Sequence, residues 1–176
     1  KGSFQVALSY AKQRRAFGKA IAEFGLIQEQ LAEMATRLYV GESMVYRTAG
    51  LLDAALAGAD PESPDAGALT WKAVEEYAIE CSINKVYLSE ILAYVVDECV
   101  QIYGGYGYHQ DYPAERAYRD ARISRIYEGT NEINRLVITT MLLRRAAKGR
   151  LALVPAAMQV MKELLATSEV SPARAS

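Results

Sequence analysis

Residues Ile79 to Gly105, IECSINKVYLSEILAYVVDECVQIYGG, decide the fold. Ile79, Ile83, Tyr87, Ile91 and Tyr94 recur at steps of four and three, the spacing of one face of an α-helix. No proline interrupts the run, and Gly104-Gly105 closes it with residues suited to a helix C-terminus. Upstream, Ser63-Pro64 reads as an N-cap followed by a first-turn proline, so the spacing predicts one helix from there to about Tyr103.

The same period extends outward in both directions. Phe4, Ala7, Leu8 and Ala11 predict a first helix, with basic Lys12, Arg14 and Arg15 near its negative end and Gly18 as its terminating residue. Ile27, Leu31, Met34 and Leu38, then Val45, Ala49 and Leu52, predict a second helix from about Phe24 to about Leu56. Gly41 interrupts that stripe, as a close approach by another backbone would require. A surface loop, AGADPESP, follows. After GGYGYHQDYP comes a short helix from about Pro113 to Ile123. Ile133, Leu136, Val137, Thr140 and Met141 then mark a last bundle helix starting near Thr130. Beyond Gly149 a shorter amphipathic helix is expected from about Pro155 to Leu165, with a polar, frayed end. No run alternates with strand period. Four long helices with short connections imply an all-α, up-down-up-down four-helix bundle. The expected organisation is a bundle over 1–149 and a helical extension and tail over 150–176.

Composition narrows the function. The 176 residues suit one domain. Apolar residues make up 51% and charged residues 23%, as in ordinary globular chains. Lys plus Arg number 20 against 21 Asp plus Glu, a net charge of −1, which argues against a nucleic-acid surface or a polybasic membrane patch. His109, Cys81 and Cys99 lack metal-ligand spacing, so no metal is expected. Both cysteines fall in an apolar helical stretch and read as buried reduced thiols, which suits a reducing compartment. No stretch is apolar for 18 residues, so no transmembrane segment is expected. The chain opens Lys1-Gly2-Ser3-Phe4, without Met and already inside a helix, as a piece of something longer would.

Three segments are more specific than a scaffold needs. They are Arg14-Arg15-Ala16-Phe17-Gly18-Lys19, Gln101-Ile102-Tyr103-Gly104-Gly105-Tyr106-Gly107-Tyr108, and Arg119 to Ile123 leading into Ile126-Tyr127-Glu128-Gly129-Thr130-Asn131-Glu132-Ile133. Glu128 lies two residues ahead of Thr130, the natural N-cap of the last helix. It is therefore on a connector, beside apolar Ile126 and Tyr127. It reads either as a solvated loop residue or as a carboxylate aimed into a cleft. Burial would raise its pKa from about 4.3, and the helix end would oppose that. Gly129 permits a tight turn and close approach of a ligand. The Gly-Gly-Tyr-Gly run is either a helix cap and turn or a set of backbone amides facing a phosphate. Arg14 and Arg15 are either a solvated basic end or a pyrophosphate contact, for which Arg geometry is suited. His109 has no catalytic role on this reading.

Taken together, YAKQRRAFGKAIAEFGLIQEQLAEMA and VQIYGGYGYHQDYPAERAYRDARISRIYEGTNEINRLV resemble the C-terminal domain of the acyl-CoA dehydrogenases, in order and spacing, from about Ala7 to Leu143. EFGLIQEQLAEMA and YVGESMVYRTAGLLD are similar to the very-long-chain branch, whose extra C-terminal region could begin near Pro155. The resemblance implies a flavoenzyme of three domains, of which this is the helical bundle. It implies FAD as cofactor and α,β-dehydrogenation of a fatty acyl-CoA thioester in fatty acid β-oxidation. Electrons would pass to an electron-transferring flavoprotein.

The resemblance also implies roles for single residues. Glu128 matches the catalytic base in the YEGT motif, taking the α proton while hydride leaves the β carbon for flavin N5. Some members carry that base on an earlier helix, at a position before Lys1. Tyr127 and Gly129 would contact substrate. Arg14, with Phe17 nearby, and Phe24, Gln101, Gly104 and Gly105 would contact the flavin of a neighbouring subunit. Thr130 and Glu132 would contact the flavin of the same subunit. Gly25 and Glu132 stand where many members have Gln. Cross-subunit contacts imply a homo-oligomer, dimer or tetramer, and the twelve tyrosines fit buried surfaces with polar tips. An acyl-CoA oxidase and a non-catalytic assembly module are the alternatives. The expected location is the cytoplasm of a bacterium, or else the mitochondrial matrix. The fragment alone is expected to be inactive.

Overall fold

The computed structural model describes residues 1–168, which are all-α apart from one small hairpin. The helices are α1 (Gly2–Gln13), α2 (Gly25–Leu56), α3 (Ala66–Glu76), α4 (Ala78–Tyr103), α5 (Pro113–Ala121), α6 (Asn131–Ala147) and α7 (Leu153–Ser168). The polar residues beyond 168, expected to fray, lie outside the described residues. Two compact units divide at Arg135/Leu136, within α6.

In the first unit α4 is the central helix. Val86, Ile91, Val95, Val96, Cys99 and Ile102 are all buried, on more than one side of it. Against it lie Ala7 and Ala11 of α1, neither with any exposed surface, and Leu31 and Met34 of α2. The two alanines let the α1 backbone come close to α4, while Phe4 and Leu8 of the expected stripe flank the contact. Cys99 is buried, and burial pushes its thiol up to about 11. Cys81 is half-buried and shifted in the same direction for the same reason.

Several boundaries depart from the sequence reading. α1 stops at Gln13, and Gly18 does not cap it. Arg15–Ala16 (β1) and Lys19–Ala20 (β2) instead pair antiparallel, joined by Phe17 (φ +51°) and Gly18 (φ +85°). Two left-handed residues in a two-residue loop are what a tight hairpin demands. The alternation is too short to register as a strand. A 3₁₀ turn, Ile21–Glu23, then leads into α2.

The expected helix from Ser63 to Tyr103 is broken at Tyr77. Ala73 and Ile79 are both buried, yet six residues on a straight helix would point them about 120° apart. The break lets both reach the interior. Ser63 does not cap α3: its hydroxyl accepts the Asp65 N–H in a local turn, and the helix starts later, at Ala66.

Gly41 meets side chains and not a backbone: a Cβ there would lie 2.9 Å from Leu88 Cδ2 and 3.0 Å from Ile91 Cδ1. Past Gly41 the buried position is Thr48, held by Asn84 Nδ2 at 2.8 Å, while Val45 and Ala49 are exposed. Ile83 and Tyr87 of α4 also reach the surface. α5 ends at Ala121 and continues as a 3₁₀ turn over Arg122–Arg125. In the second unit Gly149 (φ +69°) closes α6, and α7 begins at Leu153, earlier than the Pro155 signal indicated. No helix among the described residues is long and apolar enough to cross a membrane.

Gly107 carries the turn after α4. A Cβ at this site would lie 2.5 Å from the Val100 carbonyl oxygen and 2.8 Å from Tyr103 Cβ. Neither backbone nor Cβ can swing aside, so Gly107→Ala should cost about 2–3 kcal/mol, the upper range for overpacking. Urea unfolding should show this as a lower midpoint with an unchanged slope.

Candidate active site and cofactor contacts

The singled-out residues gather in two places along α4. The first lies beyond its C-terminus. Gly104 (φ +60°) ends the helix, and Gly105 follows in a 3₁₀ turn over Gly104–Tyr108. Arg14 projects from the end of α1 with its guanidinium 5.4 Å from the Tyr106 ring centre. Arg14, Tyr103, Gly104, Gly105 and Tyr106 line one cavity of about 570 Å³. Tyr10 and Tyr103 stack at 3.9 Å beside it. A cavity with open glycine backbone, aromatic faces and a guanidinium matches one end of a dinucleotide, a flat ring with anionic phosphate.

Phe17 packs edge-on to Phe24 at 6.2 Å. Phe17 as a residue is 97% exposed and its backbone is left-handed, a costly conformation for a bulky residue. Gln101, in the last turn of α4, is exposed. His109 borders the same cavity; its Nδ1 accepts the Asp111 N–H at 3.3 Å.

The second place is the connector from Ile126 to Thr130. Glu128 has φ +56° and Gly129 has φ +80°. For a glutamate that region costs roughly 1–2 kcal/mol. Of the two readings of Glu128, this chain by itself supplies no covering cleft: Tyr127, Glu128 and Gly129 are all exposed. Thr130 caps α6 as anticipated, its Oγ1 accepting the Ile133 N–H at 3.3 Å. Glu132 is exposed in the first turn. Hydrogen bonds from its own backbone N–H and from the Thr130 hydroxyl hold its carboxyl below the usual range.

The strained pair is anchored on both sides. Before it, the Tyr127 N–H donates to the Ile123 carbonyl at 3.2 Å. After it, the Gly129 carbonyl accepts Lys85 Nζ at 2.7 Å and Asn134 Nδ2 at 2.9 Å. Lys85 also donates to Asn131 Oδ1 at 2.8 Å. Asn131 is only 2% exposed, and its Nδ2 donates to Ser89 Oγ at 2.9 Å. Lys85, Ser89 and Asn134 were not singled out from the sequence, and Asn131 only as part of the first turn of α6. The sequence offers only a weak signal: Lys85 and Ser89 stand one turn apart, but among other polar residues of α4 such as Asn84 and Glu90.

Residues 1–143 match the family model described as acyl-CoA dehydrogenase, C-terminal domain. The chain belongs to the acyl-CoA dehydrogenase family. It is 50% identical over 165 residues to a probable acyl-CoA dehydrogenase of Bacillus subtilis, covering 94% of this chain and 28% of that protein. It is 40% identical over 138 residues to the very long-chain specific acyl-CoA dehydrogenase of Bos taurus mitochondria, covering 78% of this chain and 18% of that one. A crystal structure of an acyl-CoA dehydrogenase complexed with FAD from Bacillus anthracis superposes with a TM-score of 0.90 at 46% identity, over 100% of this chain and 30% of that one. The chain thus spans less than a third of the length of these relatives. It is a dehydrogenase-family C-terminal domain in which the YEGT connector and the Gly104–Gly105 turn stand about 28 Å of helix apart, counted from Lys85 to Gly104 at 1.5 Å per residue.

Proposed function

We propose that the full-length protein is an FAD-dependent acyl-CoA dehydrogenase acting on fatty acyl-CoA thioesters, with Glu128 as the base. One observation carries this reading. Glu128 is held in a strained left-handed conformation between two anchored peptides, directly before a helix N-cap. A solvated loop glutamate needs no such support.

Glu128 takes the α proton. The Cα–H bond breaks and its electron pair moves toward the thioester carbonyl. That carbonyl is polarised by the backbone N–H at Glu128, which acts as an oxyanion-hole donor. Tyr127 and Gly129, exposed beside Glu128, would be covered by the acyl chain and the rest of the protein. That cover would keep water from the carboxylate and raise its basicity. FAD, when bound, supplies the acceptor for the β hydride. Thr130 and Glu132 would hold it in the same subunit.

Arg14, Phe17, Phe24, Gln101, Gly104 and Gly105 would hold the adenosine and pyrophosphate end of a second FAD, belonging to a neighbouring subunit. The roughly 28 Å of helix between the two places supports two separate flavins and hence at least a dimer. Exposed Tyr39, Tyr46 and Trp71 supply surface for further contacts. Electrons would leave through an electron-transferring flavoprotein, and the pathway served is fatty acid β-oxidation. The proposed location is the cytoplasm for a bacterial source, or else the mitochondrial matrix.

The test uses the full-length protein. It should purify with FAD, and an acyl-CoA added without oxygen should bleach the flavin absorbance. A flavin that acyl-CoA leaves coloured would sink the dehydrogenase reading. Oxygen uptake stoichiometric with turnover would instead place the protein among the oxidases.

A further inference from the structure

We propose that Lys85 is a positioning residue for Glu128. Its ammonium, together with Asn134, holds the Gly129 carbonyl and so keeps Glu128 in the left-handed conformation that presents its carboxylate. The inference rests on the reading of Glu128 as base.

The argument begins with a misplaced charge. Lys85 is half-buried on α4, and its ammonium sits 2.7 Å from the Gly129 carbonyl and 2.8 Å from Asn131 Oδ1. That is the N-terminal end of α6, where the helix dipole disfavours a cation. A long, flexible side chain also loses rotamer freedom to sit there. Glu132 in the same first turn offsets part of that cost, but a neutral donor could satisfy the Gly129 carbonyl without incurring it. A charge kept against the local rule points to a demand other than stability.

The geometry says what that demand is. The connector runs between the Tyr127 N–H, tied to Ile123, and the Gly129 carbonyl, tied to Lys85 and Asn134. Between these anchors the chain crosses two left-handed residues, one of them a glutamate. Releasing the Gly129 carbonyl would free that end of the connector, so that Gly129 and then Glu128 could leave the left-handed region, and the carboxylate would move with them. Ser89 keeps Asn131 in place beneath Lys85, so the ammonium meets a fixed acceptor. Lys85 touches no reacting atom on this account. It acts through the backbone.

The test compares four full-length variants in FAD-loaded form. Flavin bleaching by an acyl-CoA is followed in single turnover, and kcat and KM in steady state. Lys85→Met should slow bleaching by about 10–100-fold, the scale on which a misplacement near 1 Å acts. KM should stay within about 3-fold, and flavin content and melting temperature should stay near wild type. Lys85→Arg, which keeps a charged donor, should recover most of the rate.

The deciding comparison is the double variant. Adding Lys85→Met to Glu128→Gln should slow bleaching no further, because a residue acting through Glu128 has nothing left to position. The same fold-loss in both backgrounds would mean a merely structural role and would overturn the inference. Wild-type bleaching by Lys85→Met would overturn it too. If Lys85→Met does not fold, Asn134→Ala removes the second donor on the same carbonyl and faces the same comparison. Glu128→Gln bleaching at wild-type speed would overturn the base assignment itself, a result separate from any failure of Lys85.

Discussion

Glu128→Gln in the full-length enzyme should lower kcat by about 10²-fold or more, the usual scale of a lost general base. The substitution keeps size and hydrogen-bonding capacity, so folding should be untouched. Glu128 is exposed, and the groups that anchor its connector are Lys85, Asn134 and the Thr130 cap. Those groups act on backbone atoms and do not need the carboxylate. Flavin content, melting temperature and KM should therefore remain near wild type while turnover falls. Steady-state rates with an artificial electron acceptor check this. Near-normal turnover with bound flavin would show that the base lies elsewhere in the protein.

The second large effect should come from Arg14→Ala. Arg14 is the cation on the cavity beyond α4, with Gly104, Gly105 and Tyr106 around it. Charge-assisted contact between a guanidinium and a pyrophosphate is among the stronger polar interactions, and Lys would not reproduce its fork. Losing it should weaken FAD binding by about 2–3 kcal/mol, on the order of a hundredfold in affinity. Arg14→Ala should purify largely without flavin and regain activity at high added FAD. Because Arg14 would serve a neighbouring subunit's flavin, mixing it with Glu128→Gln is informative. A mixed dimer should hold one site with both Arg14 and Glu128 intact, and one site with neither. Unchanged flavin content in Arg14→Ala would remove Arg14 from the cofactor site.

The helical period and the chemistry were legible to different depths. Ala7, Ala11, Leu31 and Met34 bury as their spacing indicates, with Phe4 and Leu8 partly buried against them. Thr130 caps α6 as its residue type and position indicate. Those features depend on local spacing, which a linear reading sees. The hairpin at Phe17-Gly18 was missed because its strands are two residues long and one of its left-handed residues is Phe. The break at Tyr77 carries no proline or glycine and answers to the burial of Ala73 and Ile79.

At the site, Glu128 was found by motif, but its support was not. Lys85 lies 43 positions before Glu128 in the chain. Only folding brings its ammonium to the Gly129 carbonyl. Tertiary contacts of this kind leave no local period. The exposure of Glu128 and of Ile133, Leu136 and Val137 has a related origin. The surfaces that would cover them belong to chain outside this sequence on the proposed reading.

The most direct measurement is exchange of the α proton with solvent. The full-length enzyme is incubated in D₂O with an acyl-CoA whose β position cannot release hydride, and deuterium at the α carbon is followed by NMR. The wild type should wash deuterium into the α position, and Glu128→Gln, with the same bound flavin, should exchange at least about 10²-fold more slowly. Exchange by Glu128→Gln at the wild-type rate would contradict the assignment of Glu128 as the group that takes the proton.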